Sequence, residues 1–137
     1  MEEAEKNNLD VYAEIIDVFS SNIITDNKYI ENVKNIVTAM MDANGLQEND
    51  VKLYTSVNPF NQLSEKVIGT LEKHFGQDRL TKRNMFENTY VNYLGMNGVF
   101  NLISAIEDIK NEKCNSKHAL VFDVGCDGKL SCLLVKC

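Results

Sequence analysis

Two near-continuous apolar runs close this chain, Ala119-Leu120-Val121-Phe122-Asp123-Val124 and Leu130-Ser131-Cys132-Leu133-Leu134-Val135, with no helix-length segment between them. The linking Gly125-Cys126-Asp127-Gly128-Lys129 contains an Asp-Gly pair, which supplies the positive-φ turn that a hairpin prefers. Strands this apolar along their length need cover on both faces, from helices or from a partner. That requirement points to a layered α/β unit.

The upstream sequence supplies the other layers. Leu9, Val11, Ala13 and Ile15 alternate with Asp10, Tyr12 and Glu14, which predicts a strand running on through Val18 with the first set on its buried face. Asp26 is a candidate N-cap for a helix carrying Tyr29, Ile30, Val33, Ile36, Val37, Met40 and Met41 on one side, and Gly45 stops it. Val51-Lys52-Leu53-Tyr54-Thr55 reads as a second strand, followed by a loop with the only proline, Pro59. Leu63, Val67, Ile68, Leu71 and Phe75 mark a second helix that ends at Gly76. Residues Gln77 to Asn88 are polar and read as irregular, Thr89-Tyr90-Val91 as a third strand, and Gly95 to Asn111 as a third helix. The order is βαβαβαββ, a mixed five-stranded sheet with about three helices.

Length and charge narrow the function classes. A chain of 137 residues suits one core, placed here over residues 9–137, with 1–8 expected to be frayed. At 44% hydrophobic and 25% charged residues the composition is globular, and no apolar run approaches the roughly 20 residues that cross a bilayer. Met1 to Asn8 lack the basic start and apolar centre of a signal peptide, which sets a cytoplasmic expectation. A net charge of -6 disfavours a grip on nucleic-acid phosphates. Cys114, Cys126, Cys132 and Cys137 are spaced by 12, 6 and 5 residues, unlike the close pairs of a zinc ribbon, so free thiols and no metal are expected. His74 at a helix end and His118 at a strand start have no nucleophile beside them in sequence, and neither reads as an acid–base group. No cofactor is expected either: Gly95-x-x-Gly98 lacks the third glycine of a dinucleotide turn and the lysine of a phosphate loop.

That glycine pair has another reading. Val91-Asn92-Tyr93-Leu94-Gly95-Met96-Asn97-Gly98-Val99-Phe100 resembles the Gly-His-x-x-Gly-x-x-Gly segment of β-ketoacyl synthases, with Asn92 where the catalytic histidine stands. Val11 to Val18 resembles the strand that opens the C-terminal half of those enzymes, and Ala39 to Val51 is similar to their helix, glycine turn and Asp-Val strand entry. Together these cover nearly all the chain from Leu9 onward and resemble the C-terminal half of a thiolase-fold condensing enzyme. On that resemblance Tyr54 matches a first catalytic histidine, Asn92 a second, and Glu87 falls near a lysine position. The family's nucleophilic cysteine lies in the other half.

The resemblance implies half of a thiolase-like fold with degenerate catalytic positions. Condensation needs a thiolate and paired hydrogen-bond donors, and tyrosine, with an ordinary pKa of about 10, replaces imidazole poorly. It also implies that the helix after Gly95 is sandwiched between two halves in a complete enzyme. Gly95, Gly98, Val99, Phe100, Leu102, Ile103 and Ile106 then form a candidate interface. The partners to expect are a second copy, a ketoacyl-synthase-like protein, or an acyl carrier protein. Two alternatives stay open: a split ketoacyl synthase or acyltransferase completed in trans by a Cys-bearing subunit, or a piece of a longer inactive synthase.

Overall fold

The computed structural model describes residues 6–7, 10–22, 28–57, 62–84, 97–111, 113, 115–125 and 129–137. Its elements are β1 (Glu14–Asn22), α1 (Lys28–Ala43), β2 (Val51–Val57), α2 (Gln62–Phe75), β3 (Leu80–Asn84), α3 (Asn97–Lys110), β4 (His118–Val124) and β5 (Lys129–Lys136). One sheet contains all five strands in the order β1-β5-β4-β2-β3. β4 and β3 flank β2 in parallel, whereas β5 runs antiparallel to both β4 and β1. The expected α/β order with a mixed five-stranded sheet is therefore observed.

Glycine sets both predicted helix stops. Gly45 follows α1 at φ 65° and Gly76 follows α2 at φ 85°, left-handed values that a residue with a Cβ adopts only under strain. α1 and α2 lie on the same face of the sheet. Val33, Val37, Met40 and Met41 of α1 and Val67, Ile68, Leu71 and Phe75 of α2 pack with Leu53, Leu120, Phe122, Cys132 and Leu134 from the strands. The opposite face carries α3, whose Ala105, Leu102 and Ile109 pack with Tyr54, Ala119, Val121, Val135 and Leu133. Alternation along β4 and β5 sends successive side chains to the two clusters, which explains why both strands read as unbroken apolar runs.

Two expectations need correction. The third strand is Leu80-Thr81-Lys82-Arg83-Asn84, inside the segment read as irregular; Thr89 to Val91 lie outside the described residues. Among the described residues β3 is an edge strand with a single partner, β2, so it needs no apolar alternation, and a lysine such as Lys82 is a usual guard on such an edge. β1 begins later than expected and turns the other way, with Ile15 and Val18 exposed and Ile16 and Phe19 packed against the α1–α2 core. The cause is a register shift against β5 between Ile15 and Asp17. One extra residue in the strand puts Ile15 and Val18 on the same face, opposite Val135 and Leu133. A strict period of two does not anticipate this. The Asp26 cap and Pro59 fall outside the described residues.

Candidate functional site

In a sheet of this kind the place for chemistry is set by topology. The chain leaves β2 through α2 on one face and re-enters at β4 through α3 on the other, so the strand order reverses between β2 and β4. The crevice beyond the carboxyl ends of strands at such a switch point is where open α/β sheets bind ligands.

Here the two strands part before their carboxyl ends, and side chains from both faces bridge the parting. Pairing of β2 with β4 runs from Val51↔His118 to Tyr54↔Val121, after which each strand continues beside its other neighbour. Asn101 of α3, a buried residue, spans the gap: its Oδ1 accepts a hydrogen bond from Ser56 Oγ at 2.9 Å, and its Nδ2 donates to the Phe122 carbonyl at 3.2 Å. From the other face Ser64 Oγ in the first turn of α2 donates to the Ser56 carbonyl at 3.1 Å. Six polar groups on four residues at the parting of the strands are thus paired with one another, as buried groups must be. Asn101 was not singled out from sequence, although a signal existed. It is a polar residue four positions before Ala105 and three after Gly98, on the inward stripe of an amphipathic helix.

Gly98 has a packing role. A Cβ there would stand 3.2 Å from Asp123 Cβ, closer than an ordinary contact, so the missing side chain lets α3 begin directly against β4. Burial raises the Asp123 carboxyl pKa above the usual carboxylate value, partly opposed by a hydrogen bond from the Val124 backbone. Asp123 pairs across the strands with Ser131, and Ser131 with Ser20, so this end of the α3 face is polar and the other end is apolar.

The remaining sequence candidates divide clearly. Tyr54 is buried in the middle of β2, three residues before the strand ends, with its hydroxyl directed to Asp108 Oδ2 at 3.4 Å. The carboxyl end of β2 holds Ser56 and Val57. Asn92, Glu87 and Gly95 lie outside the described residues, as do Cys114 and Cys126. Cys132 is fully buried, and burial with Asp17 nearby pushes its thiol far above the ordinary range, so it is no nucleophile. His74 is exposed on the last turn of α2. Burial, then Lys136, lowers the His118 imidazole pKa at the start of β4. Among the described residues no group of three or more His, Cys, Asp or Glu side chains is placed to hold a metal ion, and no helix is long and apolar enough to cross a membrane.

The candidate interface is partly on view. Val99 and Ile103 are exposed on α3, Leu102, Ile106 and Phe100 are half-buried, and Leu102 packs toward the sheet. Tyr12, Ile15 and Val18 are exposed as well, and of these the sequence pattern places Ile15 on a buried face.

This architecture, with three helices, a mixed five-stranded sheet and β5 antiparallel to its neighbours, is a partial thiolase-like ketosynthase fold. The ketosynthase of the AntDE:AntF type II polyketide synthase assembly, solved in complex with its acyl-carrier protein and bound to the hexaketide, superposes with a TM-score of 0.67 at 12% identity over 98% of this chain and 36% of that one. The ketosynthase from module 6 of the bacillaene synthase of Bacillus subtilis 168 gives 0.66 at 10% identity, covering 99% of this chain and 32% of that one. An oxazolomycin ketosynthase domain from Streptomyces albus JA3453 gives 0.63 at 11% identity, covering 98% and 47%. This chain therefore spans between 32% and 47% of the length of these ketosynthases. No protein-family profile and no curated protein sequence matches it.

Proposed function

We propose that this chain is a non-catalytic, ketosynthase-like protein that acts by association, either with itself or with a ketosynthase-like partner subunit in acyl or polyketide metabolism. The observation that carries the reading is the set of hydrogen bonds at the parting of β2 and β4. The Ser56–Asn101–Phe122 hydrogen bonds tie the two strands together at the switch point, beside the place where open α/β sheets receive ligands, and Cys132 is a buried thiol whose pKa burial raises. The positions matched to catalytic histidines are Tyr54, a core residue bonded to Asp108, and Asn92. Condensation requires a thiolate to hold the acyl group and donors from two residues, and Asn92 offers a single amide.

Incubation with acyl thioesters followed by intact-mass measurement tests this, together with an assay for malonyl-thioester decarboxylation. The chain should remain at its own mass and release no carbon dioxide. A stoichiometric acyl adduct on a cysteine together with condensation product overturns the reading. A split enzyme completed by a Cys-bearing subunit has one observation in its favour, the coverage of less than half of each ketosynthase. It requires that Asn92→His or Asn92→Ala change the rate of the reconstituted pair. On the leading reading neither substitution creates or alters activity. An acyl carrier protein is a third partner to test, since one ketosynthase of this fold was solved with its carrier.

A further inference from the structure

Four strand ends meet at the margin of the sheet remote from the parting of β2 and β4. β4 and β2 begin there, with His118 paired to Val51; β5 ends there, with Lys136 paired to His118 on one side and to Glu14 of β1 on the other. Residues directly opposite one another share a face. His118 alternates with Leu120, and Lys136 with Leu134, so the Glu14–Lys136–His118 row lies on the α1–α2 side. His118 is half-buried, while Lys136 and Glu14 are exposed. The charges that act on the imidazole are Lys136 from β5, Asp50 just ahead of β2 and its own neighbour Lys117; no charge of α1 or α2 is among them. Asp50 is engaged elsewhere, since its Oδ2 accepts a hydrogen bond from the Gln47 amide at 2.7 Å. The Lys117 carbonyl accepts the Cys137 amide at 3.1 Å, which holds the residue after β5 against the start of β4.

With the imidazole neutral, the charge paired directly with Lys136 is the opposite one of Glu14. A proton on His118 sets two cations opposite each other in the pair that ends the β4–β5 ladder, with a third on adjacent Lys117. Like charges so placed weaken a strand pair. We propose that His118 and Lys136 form a proton-operated clasp, in which uptake of a proton loosens the end of β5 from the start of β4 and opens the hollow beside it. That hollow, about 230 Å³, is lined by Val11, Tyr12, Ala13, Glu14, Lys136 and Cys137, so the residues the clasp releases form one of its walls. Linkage gives the direction. Burial, then Lys136, holds the His118 imidazole below its ordinary value of about 6.5, so the opened chain takes the proton more readily than the closed one. The closed clasp is at full strength above about pH 6.5 and is lost as pH falls through the lowered value.

Amide hydrogen exchange of the full chain, read residue by residue by NMR and corrected for intrinsic rates, tests the clasp. Between about pH 7.5 and about pH 5.5 the protection of the Cys137 amide should fall by about threefold or more, with a smaller change in α2. His118→Gln, which keeps a neutral polar side chain, should abolish the difference. Lys136→Met, at an exposed position, should flatten the exchange response and raise the midpoint at which the His118 ring protons titrate. A ring that titrates at or above about pH 6.5 in the unmodified chain overturns the proposal. So does equal protection of Cys137 at both pH values, an equal loss throughout α2, or a response that survives in His118→Gln.

Discussion

Replacing Asn101 by alanine should be among the most destabilising single changes available in α3. The side chain is buried, and its loss strands the Phe122 carbonyl and the Ser56 hydroxyl between strands that have stopped pairing. Each unpaired buried group costs about 1–3 kcal/mol, and alanine returns less than about 0.7 kcal/mol through helix propensity. The expected net loss is about 2–4 kcal/mol, a large part of the roughly 5–15 kcal/mol that holds an ordinary domain together. Urea unfolding followed by circular dichroism, at one fixed protein concentration, should show the midpoint falling by about 1–2 M for slopes near 2 kcal/mol/M. Asn101→Leu fills the volume but still orphans both partners, so it should also destabilise. Adding Ser56→Ala to it should recover about 1 kcal/mol, because one orphan is removed. If Asn101→Ala lies within about 0.5 kcal/mol of the parent, or if Ser56→Ala gives the same increment in both backgrounds, then the bridge across the strand ends does not carry the energy assigned to it.

Gly98→Val should lower stability by about 2 kcal/mol in the same assay, since a branched side chain overpacks the contact in which a Cβ would already lie 3.2 Å from Asp123 Cβ. Gly76→Ala should cost about 1 kcal/mol with no clash involved, because nothing lies within 4 Å and the penalty comes from φ 85°. Asp123 has a folded-state pKa raised by burial, so the folded protein binds the proton more tightly than the unfolded chain does; stability is greatest with the group protonated and falls as pH rises from the ordinary carboxylate range through the raised value. Asp123→Asn should flatten that part of the pH–stability profile measured by urea midpoint. Cys132 should resist thiol alkylation in the native protein and react only after unfolding, as judged by mass spectrometry of digests.

Much of this fold is legible in the sequence because most elements follow one physical rule at a time. α1 and α2 announce themselves by apolar spacing and by a glycine just past the end of each, and β4 and β5 by apolar runs that need cover on both sides. The misreadings fall where two rules compete. β3 is held by backbone pairing to β2 at the edge of the sheet, so its sequence, Leu80-Thr81-Lys82-Arg83-Asn84, is free of the pattern that marks a buried strand. In β1 the alternation is present but a register shift divides it, and the face that looks buried on paper is exposed in the fold. The candidate site was legible only in outline. The stripe Val99, Leu102, Ile103, Ile106 could be read from helical spacing, but that Ile15 and Val18 share the α3 side of the sheet follows only from their pairing with Val135 and Leu133. Asn101 bridges residues 45 and 21 positions away, and no local pattern encodes such a contact.

The irregularity in β1 also bears on how far any assembly of this chain can grow. A regular edge strand with free backbone groups is a template for another strand, and sheets joined edge to edge can propagate without limit. β1 departs from that template at Asp17, where the side chain turns back to accept a hydrogen bond from the Val18 amide and, at 3.3 Å, another from Asn44 beyond the end of α1. At the opposite margin β3 is five residues long and carries the half-exposed Lys82. Both ends of the sheet are therefore poor starting points for filaments, and contacts that form face to face can close on themselves at a small, fixed number of chains.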